Sequence, residues 1–140
     1  MTQTSCQGTE IRIALRQFLI IGLLALLSGP ALADCDMERG KSLYSKCAIC
    51  HTNSADEGHL VGPNLYRIVG KEVAAAEDFV YTDEMVAYGI TWTAELLDKF
   101  LESPLTEVRG TSMAFAGLRK EADRENLICY LTKTADPTED

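Results

Sequence analysis

The sequence predicts an all-α domain of three or four short helices, with long loops closed around a bulky apolar group that the polypeptide does not itself supply. Three observations predict it. Apolar residues recur at helical spacing in separate segments, and no run alternates as a strand would. Between His51 and Tyr81 about 30 residues carry no strong helical pattern, a length uncommon for an empty loop in a compact domain. Residues 47–51 read CAICH, two thiols and an imidazole in close succession.

The first 33 residues do not read as part of that fold. Arg12 and Arg16 precede the apolar run 18–27 (FLIIGLLALL), and Ser28, Gly29 and Pro30 lead into Ala31-Leu32-Ala33. A positive region, a short apolar region and a small-residue site make a secretory signal peptide. The apolar run is about ten residues, against the ~20 needed to span a bilayer. Cleavage is expected after Ala33, giving 1–33 as signal peptide and 34–140 as one exported domain; the alternative is an uncleaved anchor. Asp34 rather than a small residue precedes Cys35, which argues against a lipid-modified N-terminus.

The elements follow in order. Residues 36–47 set Gly40, Leu43, Tyr44 and Cys47 on one helical stripe. Thr82 caps a short helix, 83–88. Thr93 caps 94–102, where Leu96, Leu97, Phe100 and Leu101 share a side and Ser103-Pro104 makes the stop. The last helix, 120–133, carries Leu127, Ile128 and Leu131, and 134–140 reads as a frayed acidic tail. Helices this short give a thin core. Leu65, Ile68, Val69 and Phe79 of the middle run are therefore expected to bury themselves against the added group.

The chain has 13 basic and 21 acidic side chains, a formal charge of −8, and loss of Arg12, Arg16 and Glu10 with the leader makes the remainder more acidic still. That balance argues against nucleic acid or an anionic membrane surface as partner.

Three chemistries use a motif such as CAICH: a redox dithiol, a zinc half-site, or covalent attachment of haem. Cys47, Cys50 and His51 are three and four residues apart, so one helical turn points all three the same way. Zinc needs two further Cys or His at paired spacing, which His59 and distant Cys129 do not offer. A thioredoxin-like dithiol should follow a strand in a βαβ pattern, and none is present. A histidine directly after the second cysteine marks c-type haem, and haem also supplies the missing interior. Cys47 and Cys50 would then hold one haem c per chain through thioether bonds, with His51 on the iron. The other imidazole nitrogen needs an acceptor. The carbonyl of Pro63, in Gly62-Pro63-Asn64-Leu65, is a candidate, although the stretch also reads as an ordinary turn. For the second iron ligand, Met113 has the best setting, between Gly110 and Phe115; Met85, Met37 and His59 stay open. Cys35 and Cys129 either pair in an oxidising compartment or remain separate thiols.

From about Met37 to Ala135 the chain resembles the class I cytochromes c, of the kind found in mitochondria and as soluble carriers in bacteria. CAICH, GPNLY, YTD, GITW, GTSMAFAGL and NLICYL carry the resemblance, in family order. It implies the cytochrome c fold, Met113 as the distal ligand and Pro63 as the acceptor for His51. It also implies Tyr81 and Trp92 as donors to a haem propionate, and His59 as a loop pin rather than a ligand. Gly40 and Tyr44 would meet Leu127 and Tyr130 where the terminal helices cross; Cys35 and Cys129 lie near that crossing, which favours a bridge. The implied function is a soluble, monomeric periplasmic carrier of single electrons, not an enzyme. It would dock transiently on respiratory or photosynthetic membrane complexes such as a quinol:cytochrome c oxidoreductase and a terminal oxidase. The alternative is a haem peroxidase or gas-binding haem protein with a labile Met113.

Several positions depart from the family pattern. Its arginine near the propionates is Lys71 here, its nearby asparagine is Met85, its tyrosine beside the methionine sulfur is Phe100, and its proline before the Met-loop glycine is Arg109. Lysines that ring the haem edge in the mitochondrial type become Leu60, Leu105, Thr106 and Ser112, while Lys46, Arg119 and Lys120 persist. Partner turnover is therefore expected to depend less on ionic strength than in the lysine-rich relatives.

Overall fold

The computed structural model describes residues 35–135, so the expected leader and residues 136–140 of the expected tail lie outside the described residues. Five helical segments follow in order: α1 (Met37–Tyr44), α2 (Asp83–Tyr88), α3 (Ala94–Glu102), α4 (Pro104–Glu107) and α5 (Glu121–Lys133). Among the described residues there is no strand, only an isolated antiparallel bridge between Glu72 and Thr91. The class is all-α.

Local chemistry sets the boundaries. The Asp36 side chain accepts the Arg39 N–H to start α1, and Thr82 and Thr93 do the same for Met85 and Leu96 at α2 and α3. Helix α1 ends at Tyr44, earlier than the expected 47. Ser45 turns its hydroxyl onto the Ser42 carbonyl at 2.6 Å, and the chain continues in turns through Cys50. Cys47 thus belongs to a turn beyond the helix. Ser103 ends α3 as expected, but Pro104 then opens the four-residue α4 from its first position, where the missing N–H costs nothing.

The first and last helices cross closely. A Cβ at Gly40 would strike the Asn126 carbonyl and lie 2.6 Å from Tyr130 Cβ, so only glycine allows this approach. The Tyr44 and Tyr130 rings stand 5.5 Å apart beside the crossing. Leu127, wholly buried, and Leu43, 3% exposed, fill its centre. Cys35 and Cys129 form a disulfide across it, with Cα atoms 6.2 Å apart. A bridge spanning 94 residues of sequence restricts the unfolded chain strongly, an effect of about 2–5 kcal/mol.

The long middle run has no helix among 52–81 and is held by side chains instead. Asn64 Nδ2 donates to the carbonyls of Ser54 and Glu57, both at 2.7 Å, and its Oδ1 accepts from Tyr66 N–H. His59 Nδ1 accepts the Asn64 N–H at 2.9 Å while Nε2–H donates to the Glu77 carbonyl at 2.7 Å. Further on, Gly70 N–H bonds Trp92 O and Trp92 N–H bonds Lys71 O, each at 2.8 Å, which anchors Trp92 beside the loop.

Replacing Gly40 with alanine should destabilise the protein by about 2–3 kcal/mol, because backbone on α5 cannot yield as a flexible side chain would. Chemical denaturation reads this as a lower midpoint. An unchanged midpoint would mean that the helices separate at no cost.

Candidate functional site

The described residues enclose a cavity of about 270 Å³. Natural interiors hold few voids larger than a water, and removing one large side chain leaves only about 150 Å³. Leu65, Ile68 and Phe79 wall it from the long loop, Leu97, Phe100 and Leu101 from α3, and Leu127 and Leu131 from α5. Val69 does not join them. Ile68 N–H bonds Leu65 O and Lys71 N–H bonds Ile68 O, so the chain turns there. Val69 lines a separate cavity with Arg67 and Ala135 instead, which corrects the expectation that it would face the added group.

Cys47, Cys50 and His51 reach the main cavity together. Cys50 and His51 both donate their N–H groups to the Cys47 carbonyl, at 2.9 and 2.8 Å, which closes one helical turn. Gly62 N–H bonds the Cys50 carbonyl at 2.7 Å and Leu65 N–H bonds Thr52 O at 2.8 Å, bringing the GPNL segment alongside. His51 Nδ1 then lies 2.7 Å from the Pro63 carbonyl. A carbonyl only accepts, so Nδ1 carries the proton and Nε2 keeps its lone pair. Burial lowers the His51 pKa, opposed by the bond to Pro63, and the ring is held neutral. Gly62 is required at this contact: a Cβ there would come 2.6 Å from Nδ1 and 2.8 Å from Nε2.

The two thiols are poor candidates for a redox dithiol. Burial pushes Cys47 up to about 11, despite the nearby Lys46, so it stays protonated at neutral pH, the reverse of a reactive cysteine. Among the described residues no three His, Cys, Asp or Glu side chains converge as a metal cluster. An apolar cavity wide enough for a large flat group, two thiols and a neutral imidazole with a free lone pair on its wall fit haem. That donor set suits covalent attachment plus iron ligation.

Met113 lines the same cavity from the loop between α4 and α5. Gly110 (φ 101°) and Gly117 (φ 88°) supply the left-handed conformations that the loop needs. Its far end is clamped: Leu118 N–H bonds Leu101 O at 2.8 Å, and Arg124 of α5 donates to the Leu118 carbonyl at 2.9 Å and the Arg119 carbonyl at 3.2 Å. Arg124 also grips Asp98 of α3 in a two-point ion pair, at 2.7 and 3.1 Å. Met85 of α2 lines the cavity as well, whereas Met37 and His59 do not. Both ring nitrogens of His59 are occupied by the loop bonds described above, so it acts as a pin. Tyr81, Trp92 and Lys71 complete the wall on the side of the long loop. Burial raises the Tyr81 pKa, opposed by a bond to the Ala76 backbone. The Phe100 ring packs edge-on to Trp92, 5.0 Å between centroids, and brings no polar atom to the cavity.

The sequence-based expectations quote Gly62 only as part of the turn and do not include Arg124. The signal for Arg124 was present: with Leu127, Ile128 and Leu131 it keeps helical register on the buried face, and it is 6% exposed. Changing Arg124 to leucine strands Asp98 and two carbonyls and should lower stability by about 2–4 kcal/mol. Equilibrium denaturation checks this, and a loss below about 0.5 kcal/mol, the size of an ordinary surface substitution, would contradict it.

No family model matches the chain, but curated proteins do. It is 42% identical to the cytochrome c of Stellaria longipes over 97 residues, 69% of this chain and 90% of that one. The cytochrome c of Gibberella zeae is 40% identical over 101 residues, 71% of this chain and 95% of its own. Cytochrome c2 of Rhodomicrobium vannielii is 35% identical over 112 residues, 80% and 90% of the two chains. Matches of this depth across nearly the whole of each relative, on a fold with such a cavity, mean that the chain belongs to the cytochrome c family.

Proposed function

We propose that this cytochrome c carries single electrons in the periplasm with one covalently held haem c, ligated by His51 and Met113. The observation that carries the proposal is the Nδ1 bond of His51 to the Pro63 carbonyl, 2.7 Å long, on a ring that shares a cavity wall with Cys47, Cys50 and Met113. That bond fixes the tautomer and directs the basic nitrogen to a metal. When bound, the haem supplies a one-electron iron couple, with a potential raised by methionine ligation.

The chain's own residues have distinct tasks. Cys47 and Cys50 anchor the group covalently, and Gly62 gives the imidazole room. Tyr81 and Trp92 offer donors for a propionate. Met113, held by the clamped loop, would supply the second ligand to the iron, and the apolar walls would exclude water. A closed iron site leaves no place for a substrate, so the protein is a carrier rather than an enzyme. The signal-peptide pattern at 1–33 supports export, and the mature protein should begin at Asp34. Redox complexes of a respiratory or photosynthetic membrane, such as a quinol:cytochrome c oxidoreductase and a terminal oxidase, are the fitting partners.

The oxidised protein should show the weak long-wavelength charge-transfer band of methionine on ferric haem. Met113→Ala should abolish it and Met85→Ala should keep it. Loss with Met85→Ala and retention with Met113→Ala would reverse the ligand assignment. The reduced native protein should bind carbon monoxide slowly at neutral pH; fast binding would favour an open-iron peroxidase or gas-binding protein.

A further inference from the structure

Helix α2 does not pack along another helix as α1 packs along α5. Among the described residues one hydrogen bond joins it to another helix: the Tyr88 hydroxyl donates to Glu107 Oε1 of α4, at 2.6 Å. Met85, 8% exposed, seats α2 on the cavity wall. Glu84 and Tyr88, four residues apart, share a different side of the helix. Glu84 lies against Gly110, where a Cβ would come 2.6 Å from Glu84 Cδ. Through these two side chains α2 meets 107–110, the segment that leads into the Met113 loop. The Tyr88 ring also stands 6.3 Å from that of Trp92, on the cavity wall.

The segment needs that outside support. Helix α4 is four residues long and no side chain caps its start, and so short a helix does not persist by itself in water. Arg124 grips the far end of the Met113 loop, which leaves the near end to buried Pro104 and Val108 and to the Glu107 bond. From there a short run of bonds reaches Met113. Thr111 N–H donates to Val108 O at 3.1 Å, and Met113 N–H to Thr111 Oγ1 at 3.3 Å. Burial and the bond to Glu107 push the Tyr88 pKa up to about 12, so the phenol keeps its proton and donates at neutral pH.

We infer that Tyr88 and Glu107 are positioning residues for the second iron ligand: their bond fastens the near end of the Met113 loop to α2 and sets how often Met113 leaves the iron. The inference rests on the His51 and Met113 ligation proposed above. Neither Tyr88 nor Glu107 lines the cavity, so neither touches what it holds. Both act through the loop. Departure of Met113 is then a local opening of one weakly held segment, not unfolding of the domain. An outside ligand binds only during that opening, so its apparent dissociation constant falls in proportion as the open fraction rises. Loss of one hydrogen bond of this kind raises the open fraction about five- to tenfold.

The test titrates the oxidised, haem-loaded protein with imidazole and follows loss of the methionine charge-transfer band. The lone pair of neutral imidazole takes the place of the Met113 sulfur on the iron, with no electron or proton transferred. Tyr88→Phe should lower the apparent dissociation constant about five- to tenfold, and Glu107→Ala should match it. The double variant should do no more than either, because both remove the same bond. Glu107→Gln, which keeps an acceptor oxygen, should restore most of the native value. Without imidazole every variant should keep the band. Arg39→Gln, which breaks an ion pair between α1 and α5, should shift the constant less than about twofold. An unchanged constant in Tyr88→Phe, additive effects in the double variant, or an equal effect of Arg39→Gln would overturn the proposal. A native protein without the methionine band would instead overturn the ligand assignment, and the positioning role with it.

Discussion

Everything in this fold answers to one constraint: the polypeptide encloses a cavity of about 270 Å³ that its own side chains do not fill. An apolar void of that size forfeits dispersion contacts along its whole wall. The helices that could collapse into it are prevented from doing so. α1 and α5 are locked against each other at Gly40 and by the Cys35–Cys129 bridge, and α3 is tied to α5 by Arg124 and Asp98. The frame is therefore built around a foreign interior. Its loops are long because they wrap a flat group rather than connect neighbouring helices.

That constraint explains why so much of the molecule is loop yet ordered. The segment 52–81 lacks a helical ladder, so its backbone groups are satisfied by Asn64, His59 and Thr52 side chains. These polar anchors, of which Asn64 also reaches the cavity wall, hold the GPNL turn where the Pro63 carbonyl meets His51. The Met113 loop follows the same logic, with two left-handed glycines for its bends and an arginine gripping its end. Both candidate ligands are thus held through their loops, His51 by the Pro63 carbonyl and Met113 by a segment that Arg124 grips.

Much of this was legible in the sequence because it depends on local chemistry. Thr82 and Thr93 announce α2 and α3, Ser103-Pro104 marks the break, and CAICH states its own purpose. What escaped depends on contacts between distant segments. Tyr44 ends α1 because Ser45 finds a carbonyl, which periodicity does not reveal. Val69 turns away because 65–71 is a turn rather than a stripe. Gly62 matters through an imidazole eleven positions earlier in the sequence. Arg124 sat in plain helical register with leucines, but its partners, Asp98 and two loop carbonyls, emerge only when α3, α5 and the Met113 loop are assembled.

The departures from the family pattern fall into two groups. Lys71, Met85 and Phe100 change the polarity of the cavity wall and so bear on the potential of whatever it holds. Leu60 and Leu105, both more than half exposed, change the outer surface and so bear on which proteins it meets. None of these positions supplies the contacts at Gly40, the disulfide or Arg124 that hold the frame together. The most direct test of the frame's dependence on its guest is the intact mass of the purified mature protein, measured after reduction and unfolding. A mass exceeding the polypeptide by one haem is the result expected; the bare polypeptide mass, from a sample that is helical and unfolds cooperatively, would contradict it.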